Sequence, residues 1–224
     1  MMPLFSAHAM SKTAVVLGST GLIGSFLLQQ LLADARYAEV KILVRKPTGI
    51  RNAKLDEVVT NFKNLDELRQ EMKGDEVFCC LGTTIKTAGS QPAFRRIDYE
   101  LVRWAAMSAK ENNVTAFLVV SSIGANPESR NFYLRTKGEM ELAVTAAGFK
   151  KCIIVRPSML LGPRTEKRFG ESFGKVVMKA FAFAIPKHWK AVEAEDVAAS
   201  MIIAANSETE NGVIENERLL NRLG

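Results

Sequence analysis

Residues 15–24 read VVLGSTGLIG, and the order of features inside this decapeptide decides the fold. A fully apolar run over residues 14–17 suits a short buried strand, and Gly18, Gly21 and Gly24 follow at intervals of three. From residue 21 to 33 the apolar positions Leu22, Ile23, Phe26, Leu27, Leu31 and Leu32 return at helical spacing. Strand, glycine turn and helix in immediate succession form the setting in which a helix N-terminus receives a pyrophosphate. Gly18 permits the tight turn off the strand, Gly21 lets backbone approach the anion, and Gly24 removes a side chain where helix meets sheet. The amides of Thr20, Gly21, Leu22 and Ile23 supply donors at the positive end of the helix dipole, with Ser19 in the same turn. Residues 13–33 carry no charge, yet three glycines and six Ser, Thr or Gln side chains exclude a membrane helix.

The same alternation continues outward. Strands are expected at residues 40–44, 57–62, 77–81, 116–120 and 152–155. The longest helix is expected over 91–112, capped by Ser90 with Pro92 in its first turn. Further helices are expected over 132–147, stopped by Gly148, and over 194–205. Strands alternating with helices predict an α/β fold, a doubly wound parallel sheet of Rossmann type with helices on both faces and a small C-terminal cap. One domain spans residues 1–224, with 1–11 read as a disordered leader and 157–192 as a small segment covering the substrate.

Composition narrows the partners. The 224 residues are 47% apolar and 24% charged, as in an ordinary globular domain. A net charge of +6 suits an anionic ligand or a nucleic acid. No basic helix or base-stacking aromatic platform is recognisable, which excludes nucleic acid. The three cysteines, Cys79, Cys80 and Cys152, lie in apolar runs and predict reduced thiols and a cytoplasmic address, while His8 and His188 are too sparse for a metal cluster.

The second strand ends in Arg45 and Lys46, where an NAD-specific site would carry a carboxylate for the ribose 2′-hydroxyl. Two cations there predict NADP(H) in preference to NAD(H). The fifth strand runs into VVSSIGA, and NFYLRTKGE follows with Tyr133 and Lys137 four apart on one helical face. A phenol can give a proton to a carbonyl or take one from an alcohol. It ordinarily ionises near pH 10, so a neighbouring ammonium is needed to stabilise the phenolate. A serine hydroxyl at the strand end would orient the substrate oxygen. Arg130, Arg135, Arg156, Arg164, Lys167 and Arg168 crowd this region as ligands for acidic groups or as solvated charge. Phe169, Phe173, Met178, Phe181 and Phe183 form an apolar set that is either core or a roof over the pocket.

Together the G-x-x-G-x-x-G spacing, the serine pair and Y-x-x-x-K, in that chain order, resemble the extended and atypical short-chain dehydrogenase/reductase superfamily. FCCLGTT, IDYELVRWAA, VRPSMLLGPR and VEAEDVAASM extend the likeness from about residue 14 to 205. The CCLGTT run and YLRTKGE look most like the atypical, Tat-interacting-protein-like NADP-binding oxidoreductase branch. The resemblance implies a triad of Ser122, Tyr133 and Lys137, with Ser121 as a structural residue or, in the reverse assignment, the substrate-orienting one. It implies that Lys137 also holds the nicotinamide ribose, that Leu81, Gly82 and Thr83 line the adenine-ribose and pyrophosphate path, and that Pro157 flanks the nicotinamide. The function implied is NADPH-dependent hydride transfer to or from a small carbonyl or alcohol. The rival is an NADP(H)-binding regulatory or redox-sensing protein with little catalysis. Asp98 stands where many relatives have a relay asparagine, and either carries a relay or caps or kinks the helix. The stripe Ile97, Leu101, Trp104, Ala105 and Ser108 is core or a homodimer surface.

Overall fold

The computed structural model describes residues 11–162, 189–209 and 211–220. The central strand, β1 (Lys12–Leu17), has Ala14 to Leu17 wholly inaccessible. It pairs in parallel with β2 (Tyr37–Val44) on one side and β4 (Glu76–Cys79) on the other. β3 (Leu55–Val59) extends the sheet beyond β2. β5 (Ala116–Val120), β6 (Lys151–Arg156) and β9 (Asn211–Glu215) extend it beyond β4, so the seven strands run β3-β2-β1-β4-β5-β6-β9, all parallel. The strand order reverses direction beside β1, and α/β folds place ligands at the carboxyl edge there. β7 (Leu160–Leu161) and β8 (Val192–Glu193) make a separate parallel pair.

Alternation along the strands divides the core into two layers. Ala14, Val16, Ile42 and Phe78 face Leu27, Leu28 and Leu31 of α1 (Leu22–Ala33) and Val197, Ala198 and Met201 of α6 (Ala194–Ala205). Val15, Leu17, Val77 and Phe117 face Val102, Ala105 and Ala109 of α4 (Leu101–Glu111) and Met140 and Val144 of α5 (Phe132–Ala146). Each fully buried leucine contributes about 1.5–3 kcal/mol, so α1 is held by packing. Among the described residues no side chain caps its N-terminus at Gly21, and no carboxylate lies in its first turn.

Several boundaries differ from expectation. β3 covers residues 55–59 instead of 57–62, because Leu55 registers with Val40 and the chain turns away after Val59, with Phe62 at a φ of +55°. The long helix is divided into α3 (Gln91–Arg95), a π-helical turn (Arg96–Glu100) and α4. Ser90 caps α3 as expected, its hydroxyl accepting from the Ala93 amide, and Asn131 caps α5 through Leu134 N–H. β9 was not anticipated, nor were the one-turn helices α2 (Ile85–Ala88) and α7 (Asn216–Leu220). Residues 1–10 of the expected leader and 163–188 of the expected covering segment lie outside the described residues, with Arg164, Lys167, Arg168 and the Phe and Met set.

The glycine turn is closed by backbone contacts. Gly18 has a φ of +78°, and a Cβ there would stand 2.6 Å from the Cys80 carbonyl oxygen, so only glycine satisfies both the left-handed conformation and the approach of β4. A Cβ on Gly24 would lie 2.1 Å from the Gly18 carbonyl oxygen, which has no freedom to withdraw. Gly24→Ala is therefore expected to push α1 off the turn and to cost about 1–3 kcal/mol, the range for forced overpacking. Urea denaturation with an unchanged m-value checks it.

Candidate active site

The carboxyl edge of β1 presents the Gly21 end of α1 with its first-turn amides uncapped. Gly21 N–H itself donates to the Gly18 carbonyl at 2.9 Å. Ser19 is buried, yet its hydroxyl has no hydrogen-bond partner among the described residues. An orphaned buried hydroxyl beside uncapped amides suits an anion with several acceptor oxygens. Thr20 and Gly21 are exposed. Leu22 is half-buried near Gly162, and the Ile23 side chain belongs to the core, so Ile23 can offer only its amide. On the neighbouring strand Leu43 registers with Leu17, and Arg45 and Lys46 lie just beyond, both exposed and without an ion-pair partner among the described residues. These residues fit a dinucleotide, with the pyrophosphate on α1 and the cations over the adenine ribose.

The other half of the site hangs on α5. Phe94 is fully buried, with its ring centroid 5.5 Å from that of Tyr133 and 5.9 Å from that of Phe132, and it fixes the start of the helix. One turn on, Lys137 is only 4% exposed, and its Nζ lies 2.7 Å from Asp98 Oδ1, a carboxylate with no exposure at all. The second oxygen, Asp98 Oδ2, accepts from the Thr83 amide at 2.9 Å. Gly82 lies over the pair, since a Cβ there would come within 3.6 Å of Asp98 and 3.8 Å of Lys137. Burial by itself would depress the Lys137 ammonium, but the Asp98 carboxylate and the Tyr133 oxygen reverse this and hold it above the usual lysine range. Gly18, Leu81, Gly82 and Lys137 thus form a continuous run of contacts from the glycine turn to α5. The Thr83 amide is spent on Asp98.

The two serines after β5 have separate fates. Ser121 is buried, and its hydroxyl donates to Glu141 Oε1 at 2.5 Å. Ser122 is half-buried, and its hydroxyl makes one weak bond, 3.3 Å, to the neighbouring Ile123 carbonyl. Pro157 joins this corner, its carbonyl accepting from Ile123 N–H at 3.0 Å. Sequence reasoning missed Glu141. It also takes Arg156 through both oxygens, at 2.9 and 2.5 Å, while Arg156 reaches Glu215 on β9. Arg156 is therefore committed to the protein and not to a ligand. The spacing Tyr133, Lys137, Glu141, four residues apiece, was the available signal.

Residues 18–208 match the family described as NAD(P)H-binding. The chain belongs to that family. This family member is 36% identical over 179 residues to "Protein FMP52, mitochondrial" of Meyerozyma guilliermondii, covering 77% of each chain. It is 33% identical over 183 residues to "Protein HTATIP2" of Rattus norvegicus, covering 80% of this chain and 74% of that one. These relatives bear out the branch that the motifs resemble. Among solved structures, the Bordetella bronchiseptica enzyme WbmG in complex with NAD aligns at a TM-score of 0.70 with 14% identity, covering 98% of this chain and 80% of the other. A second, MoeE5 in complex with UDP-glucose and NAD, aligns at 0.69 with 17% identity over 90% and 74%. At those identities the likeness shows the shared Rossmann-type fold.

The cytoplasmic address expected from the cysteines is corrected by the fungal relatives, which are named as mitochondrial proteins. The physical reason is that these thiols report packing and not compartment. Cys79 and Cys80 pack on opposite faces of the sheet and do not face each other. Desolvation raises the Cys79 thiol to about 12 and Cys152 to about 11, and it raises Cys80 as well. In the unfolded chain such thiols ionise near pH 8.5, so the protonated native forms favour folding fully below that pH, and the gain is lost as pH rises through the folded values. Ellman's reagent at pH 8 is expected to react slowly with the native protein and fully in denaturant. The thermal midpoint should fall between about pH 9 and 11.

Proposed function

We propose that the protein is an NADPH-dependent oxidoreductase of short-chain type that interconverts a small carbonyl compound and its alcohol. The observation that carries this reading is Lys137, buried as a cation one helical turn behind Tyr133 and against the loop after β4, which itself packs on the glycine turn. A buried ammonium is costly, and here it lies where a phenolate would need it. With its pyrophosphate held at the glycine turn, NADPH would supply the hydride. Tyr133 gives its phenolic proton to the carbonyl oxygen during reduction and takes it back during oxidation. Lys137 stabilises the phenolate left behind. Ser122, whose hydroxyl has only one weak bond among the described residues, donates to the substrate oxygen and orients it. Ser121 serves the Glu141 network. Arg45 and Lys46 favour the 2′-phosphate of NADP(H), since no carboxylate at the end of β2 opposes it.

A charge-assisted contact contributes about 1.5–3 kcal/mol, or about ten- to a hundredfold in affinity. Titration by nicotinamide fluorescence should show NADPH bound more tightly than NADH in the parent. Arg45→Ala should reduce NADPH affinity by about that factor and leave NADH nearly unaffected. Equal binding of both nucleotides by the parent would contradict the assignment. With a ketone or aldehyde that the parent reduces, Tyr133→Phe should lower turnover by at least about a hundredfold while NADPH still binds. Tight NADPH binding without turnover of any carbonyl across a broad screen would favour a regulatory role instead.

A further inference from the structure

The Asp98–Lys137 pair does more than fill space. Asp98 sits inside the π-helical turn, a rare geometry that clusters at functional sites. Its carboxylate has no exposure, and Lys137 has 4%. Among the described residues, the main electrostatic influences on Lys137 are Asp98 from the π turn, Tyr133 from its own helix and Cys79 from β4. The Cys79 thiol stays protonated at neutral pH because burial raises it to about 12. Asp98 therefore supplies the counter-charge that a desolvated ammonium requires. Both of its oxygens are engaged, one by the ammonium and one by the Thr83 amide. Neither donor yields a proton readily near neutral pH, which fits a holder and not a proton carrier.

We propose that Asp98 is a positioning residue: Oδ1 keeps Lys137 a cation behind Tyr133, and Oδ2 fastens the loop after β4 at Thr83. One side chain thereby sets the charge of the catalytic helix and the seat of the cofactor-lining loop together. The effect on catalysis rests on the oxidoreductase reading, whereas the charge state of Lys137 does not.

Asp98→Asn retains an oxygen for the Thr83 amide and removes the charge. With 13C-labelled lysine side chains, the Lys137 signal is identified by its loss in Lys137→Met and followed against pH. The parent signal is expected to show no proton loss up to about pH 10, and in Asp98→Asn, where the ammonium stays desolvated without its counter-charge, the proton should already have left by about pH 7. A Lys137 signal that keeps its proton through neutral pH in the variant overturns the proposal. Should Asp98→Asn fail to fold, the parent decides alone, because a Lys137 signal titrating below about pH 9 would overturn it too.

For alcohol oxidation, loss of the ammonium makes the phenolate harder to form, so the acid limb of the rate profile should move to higher pH in Asp98→Asn. If Asp98 merely offset a Lys137 charge that persists without it, the limb would move to lower pH, and that result or no movement overturns the proposal. Absence of turnover in the parent would count against the oxidoreductase reading, with the lysine titration still deciding the role of Asp98.

Discussion

The close approach of Gly18 to Gly24 on one side and to Cys80 on the other is the constraint on which the rest depends. Neither contact leaves room for a Cβ, and both involve backbone atoms that have nowhere to go. The result is that α1 starts hard against the end of β1, with its uncapped amides aimed across the carboxyl edge and β4 beside it. From that fixed point, Leu81 and Gly82 continue toward α5, where Lys137 waits under the backbone of Gly82. The glycine turn and α5 are far apart in sequence, and this short run of contacts joins them.

Charge inside the domain is arranged around α5. Two buried carboxylates serve this helix, Asp98 from the π turn paired with Lys137 and Glu141 on α5 itself holding Ser121 and Arg156, and each has both oxygens engaged. Breaking such a pair by removing one partner typically costs about 3–5 kcal/mol, far more than an exposed ion pair contributes. Glu141 joins the ends of β5 and β6 through Ser121 and Arg156, and Arg156 extends the tie to Glu215 on β9. The corner carrying Ser122 and Pro157 is thereby rigid on one side and open on the other, where the Ser122 hydroxyl has little to hold it.

What could be read from sequence was local. The glycine spacing, the apolar α1 stripe and Tyr133 four before Lys137 are all patterns within one or two turns, and the structure assembles them in the order expected. β9 escaped because in NGVIE only Ile214 is buried, so the edge strand leaves no alternating signature. The π turn escaped because residues 91–111 carry a continuous helical pattern, and the inward turn of Asp98 depends on partners from β4 and α5. In sequence Arg156 is either a ligand for acidic groups or solvated charge, and neither holds once α5 brings Glu141 and the parallel pairing of β6 with β9 brings Glu215 to it. The cysteines misled for a related reason, since apolar surroundings keep a thiol protonated in any compartment.

The central claim is that one dinucleotide lies on the α1 amides and reaches the Asp98–Lys137 pair. Hydrogen exchange with and without NADPH measures this directly, because the first-turn amides have no helical partner and should exchange quickly in the free protein. The account predicts that NADPH slows exchange over residues 19–24 and 82–84 while β9 at the far edge keeps its free rate. Protection elsewhere, with residues 19–24 unchanged, would contradict it.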